Sequence, residues 1–268
     1  MPYIGEWVDY HLNLGVDRIT LYINEPGIEP YRNLLPHKEV EFVEWNRPMS
    51  EDFRPQIRAY DHFVMRNQRE DDYTFLMDVD EYITPPTSNT QLPLSALMDK
   101  MRKLNRDGLV LPWICYNANG QLRYEDRPVV ERFTQISPYY STGAYIKSFF
   151  KNTSVLYVSS HLTRTKRTTV DQSDNDKVSP HYNEYGTSVF DYCKERGWWY
   201  LRHYYTKSWV EFVQRRVQNP RISRGHFQHP DLFFAYNPDM AYLKEDLVKS
   251  LSLFAPNDIL GCVNASST

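Results

Sequence analysis

No stretch of this 268-residue chain approaches the ~18–20 consecutive apolar residues of a membrane span, and the N-terminus carries no signal-peptide pattern. Cysteine is scarce. Cys115, Cys193 and Cys262 lie far apart with no CxxC pair, so neither a zinc site nor a disulfide framework is signalled, and the redox compartment stays open. A basic excess is missing too: a net charge of -3 and a pI near 6.2 argue against a nucleic-acid binder that works by neutralising phosphates. The short basic run TRTKRTT at 163–169 reads as a solvated loop. There is no internal repeat and no low-complexity tract. What the chain does have is apolar substance, 41% hydrophobic and 15% aromatic, enough for the core of one large α/β domain or one domain with an appendage. Two Asn-X-Ser/Thr sequons, at Asn152 and Asn264, matter only in a secretory lumen.

Helix and strand patterns alternate through the first ~115 residues, which read as doubly wound. Ile4, Trp7, Val8, His11, Leu12 and Leu14 keep near-helical spacing and end at Gly15, a C-cap. RITLYI at 18–23 and VEFVEW at 40–45 read as strands; Ile57, Tyr60, Phe63 and Val64 mark a helix, and Leu94 to Leu104 another. Leu109 to Trp113 reads as a buried strand. Beyond it come short strand-like runs at Val129–Phe133, Ala144–Phe150 and Val155–Ser160, then a polar stretch at 163–188 read as a long surface loop. Trp198–Tyr205 resumes a strand, and Ser208 caps a helix bearing Trp209, Phe212, Val213 and Val217.

The most informative feature is the tetrad Asp78-Val79-Asp80-Glu81 at the end of the apolar run Tyr73–Met77. Such a run predicts a buried strand, and ligands of open α/β sheets bind beyond the carboxyl ends of strands. Residues two apart on an extended backbone project to one face about 6.5–7 Å apart, so Asp78 and Asp80 can share one divalent ion directly or through its water or ligand. A hard cation held by carboxylates usually serves a phosphate. A solvated acidic turn is the plain alternative.

Five blocks, EWVDYHLNLGVDRITLY at 6–22, FLMDVDEYI at 75–83, VVERF at 129–133, IKSFF at 146–150 and LRHYYTKSWVEFVQRR at 201–216, together make the chain resemble glycosyltransferase family 92 and its bacterial and viral relatives. The resemblance implies a GT-A-like, Rossmann-like α/β fold, a mixed sheet with flanking helices. Residues 1–115 would form the nucleotide-sugar-binding half with the DxD acids. Residues 116–262 would form the acceptor-binding and metal-completing half of the same domain, and 263–268 a frayed tail. It also implies a UDP-sugar donor with galactose favoured, a glycan acceptor, manganese or magnesium as cofactor, and transfer with inversion.

On that reading Asp78 faces the ribose and shares the metal, Asp80 binds it directly, and an imidazole completes the shell, His203 first and His161 second. The general base is Glu131, with Asp126 and Glu125 as alternatives; Glu131 paired with Arg132 or Lys147 on a strand surface is the structural reading of the same residue. Lys147 and Lys207 contact the diphosphate, and Trp113, Tyr116 and Trp209 offer surfaces on which sugar rings stack.

Family members carry a strand ending in Asn-Glu before the segment that here begins Met1-Pro2-Tyr3-Ile4, and that strand forms part of the base pocket. The expectation is therefore an N-terminal strand missing from this chain, in a fragment or a damaged copy. Eukaryotic members are anchored in membranes upstream of this point, so localisation is open between the Golgi membrane or lumen and the cytoplasm. A haloacid-dehalogenase-type phosphohydrolase is a weaker match, because Tyr82 takes the fifth position of that motif. A carbohydrate- or nucleotide-binding relic is the remaining alternative.

Overall fold

The structure is a computed structural model that describes residues 3–46, 55–69, 72–86, 92–138, 144–174, 181–182, 189–217 and 229–251. It divides into two compact units, one of Met1–Ile114 with Ser141–His203, the other of Cys115–Tyr140 with Tyr204–Thr268. Among the described residues, no helix is long and apolar enough to cross a membrane.

The first unit opens with α1 (Ile4–Leu14), which buries Ile4, Trp7, Val8 and His11 on one face and stops at Gly15, whose left-handed φ of 103° the missing side chain permits. Two five-residue strands follow the alternation of their sequences, β1 (Ile19–Ile23) and β2 (Val40–Glu44), with α2 (Glu29–Leu34) between them. They pair in parallel as a sheet of two, Ile19 opposite Val40.

The main sheet comprises β3 (Tyr73–Phe75), β4 (Glu81–Thr84), β5 (Gly108–Cys115), β6 (Ala144–Lys151) and, later in the chain, β10 (Tyr200–His203). Their order is β3-β6-β5-β10-β4. The doubly wound expectation for residues 1–115 fails at β6, which comes from later in the chain and lies antiparallel between β3 and β5. The strand expected from Tyr73 to Met77 ends at Phe75, and a new strand begins on Glu81.

One face of this sheet packs Ile83, Leu109, Leu111, Phe149 and Leu201 against Leu97 and Met101 of α4 (Ser95–Lys103). Phe150, pointing to the other side of β6, packs with Tyr60 and Val64 of α3 (Pro55–Arg66), Leu76 and Val158.

The segment expected as a surface loop is threaded into this unit over its first ten residues. β7 (Val155–Tyr157) and β8 (Arg164–Thr165) form a hairpin in which Thr163, Thr165 and Thr169 turn inward while Arg164, Lys166 and Arg167 stay in solvent. Val170 then bridges β5, donating to the Gly108 carbonyl and accepting from Val110. Gly108 permits this approach, since a Cβ there would stand 2.6 Å from Thr169 Oγ1. Gln172 donates to the carbonyls of Val110 and Trp199 and accepts from the Trp199 N–H. Polar residues are buried here because each finds a partner. β9 (His181–Tyr182) pairs with β6, and α6 (Val189–Arg196) precedes β10.

In the second unit VVERF is not a strand. Residues Val129–Arg132 form the short helix α5, where Pro128 accepts from the N–H groups of Glu131 and Arg132 and the buried positions Val129 and Arg132 recur at helical spacing. Ser208 caps α7 (Trp209–Phe212) in a capping box with Glu211, and the helix runs on through a wider turn over Val213–Val217. Trp209, Phe212 and Val213 pack with Phe233, Phe234 and Tyr236 of α8 (Asp231–Tyr236). A further helix, α9, covers Lys244–Ser250. Of the sequons, Asn152 is buried with its amide donating to the Asn67 carbonyl, so it is closed to modification in the folded chain. Asn264, Cys262 and the tail at 263–268 lie outside the described residues.

Candidate functional site

Along the sheet face that carries Leu109, Leu111 and Phe149, the pairing register turns apolar residues into polar ones within two positions. Ile83 lies opposite Leu201, and the next pair on the same face is Glu81 opposite His203. On β6 the residue after Phe149 on that face is Lys147, opposite Leu111. His203 is the last residue of β10 and the tetrad follows β3, so these two strands meet the site at their carboxyl ends, where α/β sheets bind ligands, while Glu81 opens β4 and Lys147 lies midway along β6. The tetrad closes one corner as a turn: Glu81 N–H donates to the Asp78 carbonyl at 3.0 Å, and its carboxylate accepts from Asp78 N–H at 3.0 Å.

The two DxD acids face different partners. Asp78 accepts from Gln56 Nε2 at 2.7 Å and stands 3.5 Å from Lys147 Nζ, with its side chain part-exposed. Asp80 is 2% exposed, with Oδ2 3.7 Å from His203 Nε2. The Trp113 ring centre lies 4.1 Å from that of His203 and 5.2 Å from that of His161, which itself stacks on Tyr145 at 4.7 Å. Since β5 separates β6 from β10, His203 belongs with the Asp80 corner and His161 with the β6 side of Trp113.

Two further charges complete the corner. Glu81 is 0% exposed; burial pushes its carboxyl well above the usual range, opposed by Lys147. Burial alone would pull the Lys147 ammonium down, but Asp78 and Glu81 overrule it and hold the group firmly charged. Glu81 is the member of the tetrad for which the sequence predicts no role; its only signal is a third acid directly after the DxD.

The remaining candidates belong to the second unit. Glu131 is exposed on α5, and Asp126 is exposed and accepts from the Tyr124 hydroxyl at 3.2 Å, while Glu125 pairs with Arg127 at 2.7 Å. Lys207 is buried at a left-handed φ of 54° with Nζ donating to the Tyr204 carbonyl at 3.3 Å. A lysine held in that region costs on the order of 1 kcal/mol, which the surrounding fold has to offset. Arg132 pairs with Glu211 at 2.9 Å inside the unit rather than with Glu131.

Among the described residues, no group of three or more His, Cys, Asp or Glu side chains converges as a metal site. A site built from fewer protein groups still suits a hard cation that takes one or two carboxylates and fills its remaining positions with phosphate oxygens and water. Asp80 and His203, buried and 3.7 Å apart, supply the oxygen and nitrogen that manganese accepts, so the donor set fits.

The family model described as Glycosyltransferase family 92 matches residues 1–233. A comparison with curated proteins gives no match.

Proposed function

Because the chain belongs to glycosyltransferase family 92, we propose that it moves a hexose, galactose favoured, from a UDP-sugar to a glycan hydroxyl with inversion, in a reaction dependent on manganese or magnesium. The observation that carries this reading is the buried Asp80 carboxylate beside His203, the last residue of β10. Those two residues would hold the ion, which when bound would offset the charge that builds on the leaving diphosphate. Asp78, held by Gln56 and Lys147, would take the ribose and share the ion. Lys207 supplies a cation for the diphosphate. Glu131, an exposed carboxylate, takes the proton of the acceptor hydroxyl as its oxygen attacks, with Asp126 as the alternative. Half-buried Trp113 beside His203 offers an aromatic face to a sugar ring.

The competing reading is a binding relic, favoured by the ammonium that already neutralises Asp78. Release of UDP from UDP-galactose with and without manganese separates the two. Manganese-dependent release supports the enzyme, and saturable UDP binding with no release over hours supports the relic.

A further inference from the structure

Lys147 occupies a place where the sheet asks for an apolar side chain. It lies opposite Leu111, one pair along from Phe149 opposite Leu109, and it is 2% exposed. Lysine is almost never this buried without partners. Here Nζ stands 3.5 Å from Asp78 Oδ2 and 3.5 Å from Glu81 Oε1, with the Trp113 and Tyr60 ring centres at 5.7 and 6.0 Å. Glu81 Oε1 has no hydrogen-bond partner among the described residues, so the ammonium is what compensates that oxygen. The corner thus carries three carboxylates, of which two face Lys147 while Asp80 faces His203.

Resting on the reading that a divalent cation joins Asp80 and His203, we infer that Lys147 is a positioning residue and a resident counter-cation. It pins Asp78 and Glu81, and it weakens the pull of the corner on a bare divalent ion, so that metal enters together with the diphosphate of the nucleotide sugar. The diphosphate brings negative charge that offsets the ammonium's repulsion of the metal. Lys147 does this from inside the sheet, with no contact to the diphosphate required. A unit charge within several ångströms of a divalent ion is worth on the order of 10-fold in affinity even at a high effective dielectric.

The test is manganese binding by the full chain, followed through the electron paramagnetic resonance of free Mn2+, with and without UDP. Wild type should bind Mn2+ weakly alone and on the order of 10-fold more tightly with UDP. K147M should bind bare Mn2+ on the order of 10-fold more tightly than wild type and lose most of the gain from UDP, and K147R should restore the wild-type pattern. If K147M does not fold, K147M/E81Q, which lacks the stranded carboxylate, carries the test. Its net charge equals that of wild type, so both the bare Mn2+ affinity and the gain from UDP should return close to the wild-type values. Equal bare Mn2+ affinity in wild type and K147M, or a double variant whose bare Mn2+ affinity or UDP gain stays shifted from wild type by about 10-fold, overturns the inference. Absence of Mn2+ binding in every variant, even with UDP, overturns the metal reading itself and this inference with it.

Discussion

The indole nitrogen of Trp7 donates a 2.8 Å hydrogen bond to the carbonyl of Glu81, so the first helix holds the strand that starts on the last acid of the DVDE tetrad. Two neighbours on α1 extend the grip along β4, the outermost strand of its sheet. Tyr10 donates to the Ile83 carbonyl at 2.7 Å, and His11 Nε2 accepts from the Ile83 N–H at 3.3 Å. Side chains from one helix thereby satisfy backbone groups that an edge strand would leave unpaired.

This arrangement fixes the tautomer of His11 and makes the fold acid-sensitive. Nε2 accepts, so the proton resides on Nδ1, which donates to the Trp7 carbonyl at 2.7 Å. Burial lowers the His11 pKa from 6.5 to about 4, opposed by the bond to Trp7. The unfolded chain therefore binds this proton first as pH falls. The contribution is fully present above pH 6.5 and is lost progressively toward pH 4, up to about 3 kcal/mol. Urea denaturation at a series of pH values should show this slope in wild type and a flatter one in His11→Gln. Identical slopes would remove His11 from the account.

Asp80→Asn should reduce metal-dependent transfer by at least about 100-fold while the apo protein melts at the same temperature or higher. The substitution relieves a buried carboxylate that lies near Glu81 and Asp78, at little cost in packing. Turnover with manganese and a melting curve without it check the two halves separately. Near-normal turnover would show that Asp80 is not a metal ligand.

Glu131→Gln should slow transfer by on the order of 100-fold and leave UDP affinity unchanged, because a base acts on the acceptor hydroxyl and not on the nucleotide. Its exposure on α5 means that melting should hardly move. A parallel loss of UDP affinity would reassign Glu131 to a structural role.

Arg132→Met should destabilise the chain by about 3 kcal/mol, since it strands Glu211 without its buried partner. It also removes the bonds from Arg132 to Gln121 and to the Arg123 carbonyl, which tie down the 121–132 segment. The double variant R132M/E211Q should recover much of that loss in chemical denaturation. No recovery would mean that the segment contacts, rather than the ion pair, account for the cost.

Much of this architecture is legible in the sequence where burial follows hydropathy. RITLYI and VEFVEW alternate and become strands, and the apolar spacing from Ile4 to Leu14 becomes a helix ended by Gly15. The acid pair after an apolar run is visible in the sequence, whereas His203 is singled out only through the family resemblance, because the pairing of β10 with β4 that sets it beside Asp80 is a long-range contact. What stayed hidden is burial by hydrogen bonding and charge. Arg132 reads as a strand-surface partner of Glu131 and Lys147 as a contact of the diphosphate, since arginine and lysine usually lie at the surface, yet each is buried against carboxylates. VVERF is too short for periodicity to separate strand from helix, and the buried arginine at its helical position decides the matter. The Thr-rich stretch after Leu162 looked like a loop because hydropathy does not count hydroxyls that find partners inside.

Gln172 behaves as a detached peptide unit. One planar amide returns both a donor and an acceptor to Trp199 while also reaching Val110. The bond depends on a nitrogen that glutamate does not have, so conversion of this single amide to an acid, the slow chemical ageing to which glutamine is prone, would set a carboxylate against two carbonyl oxygens in a dry interior. The protein's shelf life therefore rests partly on how well the fold itself shields that side chain from hydrolysis.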